Sequence, residues 1–178
     1  MNQTQIQELQ DGSIKAFEAM VREFQPLVFR FVFRLLCNEE DAKDIVQETF
    51  IKVWLNLKRY KPQYQFVTWL YKIAGNLCYD NLRSKKQGLE DVSLTTFDLT
   101  VSSPENMEQS IINRELKEWI LFFTGQLTPH QKLVFTLSDI EEMETKEIET
   151  ITGLSASKIK SNLYLARKFI RDKINQLI

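Results

Sequence analysis

Between Lys52 and Lys86 the chain carries eight basic residues and a single acid, Asp80. Tyr60, Tyr64, Phe66, Trp69 and Tyr71 fall within twelve residues of this stretch, beside Arg59, Lys61, Lys72 and the amides of Gln63 and Gln65. Cations alternating with flat rings suit unpaired bases, which offer a face to a ring and a phosphate to a cation. Phe66 and Trp69 fit a helical core at least as well, whereas Tyr60, Gln63 and Tyr64 flank Pro62 in an expected loop and are harder to place in one. A second basic run, from Lys158 onward, holds six Lys and Arg against Asp172. Opposite Ile159 and Leu163, a helix here would present Ser157, Lys160, Ser161, Tyr164, Arg167 and Lys168, groups that bond phosphates and base edges in a major groove. Either run alone is equally well a solvated helical face. Together they suit a protein that touches a long polyanion at two places.

Asp44, Gln47 and Glu48 stand at i, i+3 and i+4, so a helix puts them on one side, away from much of its apolar stripe. Alone they read as a solvated surface near a helix start; with a basic partner helix they become a docking face. Cys37 and Cys78 lie far apart in apolar-patterned stretches, with one histidine, His130, and no CxxC, which points to two reduced thiols and to no metal site. With no Gly-rich phosphate loop and no nucleophile motif, no enzyme activity and no cofactor are expected.

Long elements must position these groups. The 178 residues are 43% hydrophobic and 26% charged, enough for one domain or two small ones, and five Gly and four Pro are too few for the turns of a sandwich or barrel. A continuous stripe from Phe17 through Leu36 predicts one or two long core helices, and Ile45 to Leu57 predicts another after the polar break at Asn38 to Asp41. Pro62 predicts a loop of about five residues. The stripe resumes at Thr68 and ends in Arg83-Ser84-Lys85-Lys86-Gln87-Gly88. Residues 89–107 have weak periodicity and predict a linker, the stretch 91–126 carrying six acids against Arg114 and Lys117. Ser103-Pro104-Glu105 predicts a helix start, Thr128-Pro129-His130-Gln131 a capping box, and Thr145 to Thr152, Gly153 and Ser155 a helix, glycine turn and helix. The formal net charge of -1 gives no global pull toward DNA or an anionic membrane. The first residues lack the pattern of an export signal, and the most apolar stretch, Leu27 to Cys37, is broken by Arg30 and Arg34, so a cytoplasmic location without membrane insertion is expected.

The residues Asp44-Ile-Val-Gln47-Glu48-Thr-Phe50-Ile-Lys-Val-Trp54, Thr68-Trp-Leu-Tyr-Lys-Ile-Ala74-Gly-Asn76-Leu and Asp80-Asn-Leu-Arg83 resemble region 2 of the extracytoplasmic-function (ECF) sigma factors of RNA polymerase. Leu127-Thr-Pro129-His-Gln131, Glu147-Ile148, Gly153-Leu154-Ser155, Lys158-Ile-Lys160-Ser161 and Ala166-Arg167 resemble the region 4 helix-turn-helix of the same family. The resemblance implies an all-α fold of two small helical domains joined by a flexible acidic linker: region 2 at 10–88, the linker at 89–107 and region 4 at 108–178. It implies core-polymerase binding by Asp44, Gln47 and Glu48. It implies minus-10 recognition and melting by Tyr60, Lys61, Gln63, Tyr64, Gln65, Phe66, Trp69, Lys72, Asn76 and Arg83, and minus-35 recognition by Ser157, Lys158, Lys160, Ser161, Tyr164, Arg167 and Lys168. The implied partners are core RNA polymerase, promoter DNA and an anti-sigma factor, free or membrane-anchored.

Three places depart from the family pattern: Pro62-Gln63-Tyr64-Gln65 replaces a small polar loop, Asn162 and Leu165 stand where many members carry Arg, and Glu149 stands where a small Ala separates the two helices of the motif. The last implies looser packing or an exposed tilt. The competing reading is a free-standing helix-turn-helix regulator, which would bind DNA without polymerase. A pure interaction adaptor is the third, and it would tolerate Ala at Lys160, Arg167 and Lys168.

Overall fold

The computed structural model describes residues 1, 3–61, 64–88 and 122–176. Helix α1 (Gln3–Gln10) precedes α2 (Ile14–Leu36). Ser13 caps α2 by accepting from the Ala16 N–H, and the helix ends at Cys37, whose φ of 51° lies in the left-handed region. The stripe is thus one helix rather than two, continuous through the exposed Pro26. Burial of Met20, Phe24, Val28, Phe31, Val32 and Leu35 along one face outweighs the hydrogen bond that proline removes.

Helix α3 (Glu39–Asn56) starts at Asn38, whose side chain accepts from the Asp41 N–H at 2.9 Å, and its first turn holds Glu39, Glu40 and Asp41 where the helix dipole favours anions. A 3-10 turn, Leu57–Arg59, leads to the loop before α4 (Phe66–Gly88), which begins two residues ahead of the expected Thr68. Helix α5 (Pro129–Phe135) carries the expected capping box, with Thr128 and Gln131 bonded reciprocally. A π turn, Thr136–Ile140, joins it toward α6 (Thr145–Thr152); Gly153 at φ 69° then turns the chain into α7 (Ala156–Ile174). The expected linker at 89–107 and the helix starting at Ser103 lie outside the described residues.

The sequence left the relation of the two halves open, and the structure packs them together. One apolar cluster runs from Val28, Phe31, Leu35, Val53 and Leu70 of α2, α3 and α4 into Leu133, Val134, Leu137, Ile148, Ile151 and Ile159 of the second half. A smaller cluster, Phe123, Leu127, Phe135, Ala166 and Ile170, seats α7 on α5. Polar contacts line the seam. The Glu141 carboxylate takes an ion pair from Arg34 and a 2.7 Å hydrogen bond from the Tyr71 hydroxyl, while Thr68 donates to Glu147 at 3.0 Å. Lys132 is 3% exposed, and its polar partner among the described residues is the Cys37 sulfur at 3.6 Å.

Candidate nucleic-acid interface

Helix α4 works on three sides, as a 3.6-residue period allows. Phe66, Leu70, Ala74 and Leu77 face the core of the first half. Thr68, Tyr71, Gly75 and Tyr79 meet the second half: Thr68 at Glu147, Tyr71 at Glu141, Gly75 beside Leu133 and Ile151, and Tyr79 with its ring 4.6 Å from that of His130. Burial, with Lys158 nearby, lowers the His130 pKa, so this ring contact is made by neutral imidazole at pH 7. The third side presents Lys72, Asn76 and Arg83 to solvent.

The loop before α4 divides the expected aromatic patch. Lys61, Tyr64 and Gln65 are exposed, Tyr64 at 49%. Tyr60 is not a loop-tip residue, contrary to expectation: it is 6% exposed, with its ring 5.3 Å from Phe66 and 5.0 Å from Trp69. Its hydroxyl donates to the Tyr64 carbonyl at 3.0 Å, and burial pushes the phenol pKa up. Gln10 of α1 donates to the Leu57 and Tyr60 carbonyls at 3.1 and 3.0 Å. Tyr60 and the buried Phe66 therefore brace the loop, Trp69 is half-buried, and Tyr64 is the ring offered outward. Gln63 lies outside the described residues.

On α7 the structure exposes Ser157, Lys158, Lys160, Ser161, Tyr164, Arg167 and Lys168, opposite the buried Ile159, Ala166 and Ile170. Arg167 is committed within the fold. Asp139 accepts from its guanidinium twice, at 2.8 and 2.6 Å, and these bonds raise the Arg167 pKa. Lys160 and Lys168 have no ion pair among the described residues. Glu149 does not loosen the turn as its bulk implied: its carboxylate accepts from the Ala156 N–H at 2.7 Å and ties α6 to the head of α7. The acid run from Asp139 to Glu149 was visible in the sequence. Its destinations, Arg167, Arg34, Tyr71, Thr68 and Ala156, were not, because all but Ala156 are distant in the chain.

Asp44, Gln47 and Glu48 are exposed side by side on α3, with Glu48 paired to Lys52 at 3.1 Å. Beside Gln47 runs an open groove of about 670 Å³ between α2 and α3, floored by Phe17, Val21, Phe29, Val46 and Phe50 and edged by the exposed Ile51, Trp54 and Leu55. An acidic and amide ridge next to an apolar trough is a surface that an amphipathic basic helix would cover.

The family description Sigma-70 region 2 matches residues 20–87, and Sigma-70, region 4 matches residues 117–170. These segments hold α3, α4 except its last residue and α7 as far as Ile170, and together span more than half of the chain. The ECF RNA polymerase sigma factor SigW of Bacillus subtilis (strain 168) is 27% identical, over 99% of this chain and 98% of its own length. The chain belongs to the ECF sigma factors. The ECF RNA polymerase sigma-E factor of Escherichia coli (strain K12) is 28% identical to this sigma factor, over 99% and 96% of the two chains. The fold agrees with two solved structures. CnrH in complex with the cytosolic domain of CnrY gives a TM-score of 0.69 at 20% identity, covering 97% of this chain and 96% of that one. The sigma factor RpoE in complex with the anti-sigma factor NepR from Bartonella quintana gives 0.67 at 19% identity, covering 91% and 98%. No helix among the described residues of this sigma factor is long and apolar enough to cross a membrane.

Proposed function

We propose that this ECF sigma factor docks on core RNA polymerase through Asp44, Gln47, Glu48 and the adjoining α2/α3 groove, and engages promoter DNA with two separate exposed surfaces. Lys61, Gln63, Tyr64, Gln65, Lys72, Asn76 and Arg83 bind and open the minus-10 element, braced by Tyr60, Phe66 and Trp69. Ser157, Lys158, Lys160, Ser161, Tyr164 and Lys168 read minus-35, with Arg167 held at their edge by Asp139. The reading rests on one observation: each family-matched segment carries its own exposed basic face, and the two faces lie on different elements, α4 and α7. The chain then divides into region 2 at 10–88, a linker at 89–107 and region 4 at 108–178, acting in the cytoplasm.

The packed arrangement is a stored form. The two promoter elements stand about 25 base pairs apart, about 85 Å at about 3.4 Å per pair, whereas here Thr68 of one half bonds Glu147 of the other at 3.0 Å. Reading both elements requires the halves to part. CnrH and the Bartonella RpoE were solved with the cytosolic domain of CnrY and with NepR. By analogy an anti-sigma partner, free or membrane-anchored, holds this chain closed, and core polymerase opens it.

Two variants separate docking from melting. Asp44→Lys with Glu48→Lys should abolish co-purification with core polymerase, since it reverses the charge of the ridge. Tyr64→Ala should co-purify normally yet reduce strand opening, read by permanganate reactivity, by about tenfold, in line with about 1 to 3 kcal/mol per stacked base. Retained co-purification of the double variant, or full opening by Tyr64→Ala, would reject the corresponding assignment.

A further inference from the structure

The chain caps its proposed reading helix from an unusual place. Ser155 holds the N-cap position of α7, where a serine hydroxyl is a favoured acceptor, yet it makes no side-chain capping bond. The acceptor is supplied instead by Glu149, one helix earlier, whose Oε1 lies 2.7 Å from the Ala156 nitrogen. The turn between the helices is tied a second time, by the Thr152 hydroxyl, which accepts from the Leu154 N–H at 3.2 Å and donates to the Ile148 carbonyl at 2.7 Å. With Gly153 in the left-handed region, these bonds leave α6 and α7 little freedom to change their angle. Glu149 also brings a charge. Its carboxylate sits at the end of α7 that exposes Ser157, Lys158, Lys160 and Ser161, the turn a DNA backbone would approach first.

We infer that Glu149 is a positioning residue for minus-35 recognition: it sets the angle at which α7 is presented, and its negative charge weakens the grip of that helix on the phosphate backbone. This rests on the assignment of α7 to minus-35 made above. The two effects have different chemical requirements. Setting the angle needs an acceptor atom at the Ala156 N–H; weakening the backbone contact needs a net charge, because like charges repel and salt screens the repulsion.

The test compares Glu149→Gln, which keeps the acceptor without the charge, with Glu149→Ala, which removes both. Each variant is assembled with core polymerase and titrated onto a promoter fragment that the wild-type holoenzyme transcribes, over a series of salt concentrations and with single-base changes in the minus-35 element. Glu149→Gln should bind about fivefold more tightly at low salt, the effect of one like-charge contact at about 4 Å in water, with the gain shrinking as salt rises and the base preference unchanged. Glu149→Ala should discriminate less among the minus-35 changes. Binding by Glu149→Gln identical to wild type at every salt concentration overturns the charge role, and undiminished discrimination by Glu149→Ala overturns the positioning role. Lys160→Ala separates this from failure of the underlying reading: if it binds as wild type, α7 is not the reader and both fall, whereas a weakened Lys160→Ala beside an inert Glu149→Gln removes only the charge role.

Discussion

Glu141 joins the two halves at a single carboxylate, receiving the Arg34 guanidinium and the Tyr71 hydroxyl. Burial and this bond push the Tyr71 pKa far up, so the phenol remains a donor throughout the physiological range. Glu141→Ala should weaken the closed form by about 1 to 2 kcal/mol, allowing for the 34% exposure of Arg34, and small-angle scattering should show a larger radius of gyration. An unchanged radius would mean that apolar contact alone holds the seam. Cys78 gives a pH dependence. Burial raises its thiol pKa strongly, partly offset by the charge of Lys132, so the unfolded chain releases this proton at a lower pH than the folded one. Stability from Cys78 is therefore whole below about pH 8.5, the ordinary thiol value, and falls as pH rises above it. Denaturant midpoints measured between about pH 7.5 and 10 should decline for wild type and decline less for Cys78→Ala. Residue types in the sequence made Tyr64 and Lys160 legible as exposed positions. They could not show Tyr60 as a brace, because its ring packs on Phe66 and Trp69 across the loop and its carbonyl is held by Gln10, fifty residues away.

Helix α4 shows what an element adds to its residues. One stripe builds the core of region 2, a second faces solvent with Lys72, Asn76 and Arg83, and a third seats region 4 through Thr68, Tyr71, Gly75 and Tyr79. At Gly75 an added Cβ would lie 3.5 Å from Leu133, 3.6 Å from Ile151 and 3.8 Å from Phe31, which are ordinary contacts. Gly75→Ala should therefore raise stability by up to about 1 kcal/mol through helix propensity. Gly75→Leu has no room for its remaining carbons and should pry region 4 away while circular dichroism stays helical. Equal scattering profiles for the two variants would contradict that placement. Local signals made the elements themselves legible: the capping box at Thr128 and Gln131, the glycine turn at Gly153 and the break at Asn38 to Asp41 all fell where the sequence put them, and the structure adds that Asn38 caps α3. The third side of α4 was not legible, since Tyr71 and Gly75 continue an apolar pattern that one core explains as well as two.

At the scale of the molecule, a net charge of -1 leaves only local faces to hold DNA, and in the closed form α4 and α7 cannot meet two distant promoter elements together. Free protein should bind promoter DNA weakly. Core polymerase should change this by fixing the spacing of the halves, so that two weak contacts act as one strong one and further phosphate contacts come from the larger enzyme. The packing that opposes this was invisible in the sequence because Leu133, Ile148 and Ile151 form a valid core stripe for region 4 alone; only the fold shows them closing on Phe31 and Leu70 of region 2. The most direct measurement is run-off transcription with core polymerase on a library of the host's promoter fragments, with and without this protein. We expect template-selective transcripts that appear only on its addition and that define the minus-10 and minus-35 elements. No stimulation, together with tight promoter binding by the protein alone, would contradict the initiation-factor reading and identify a free-standing regulator.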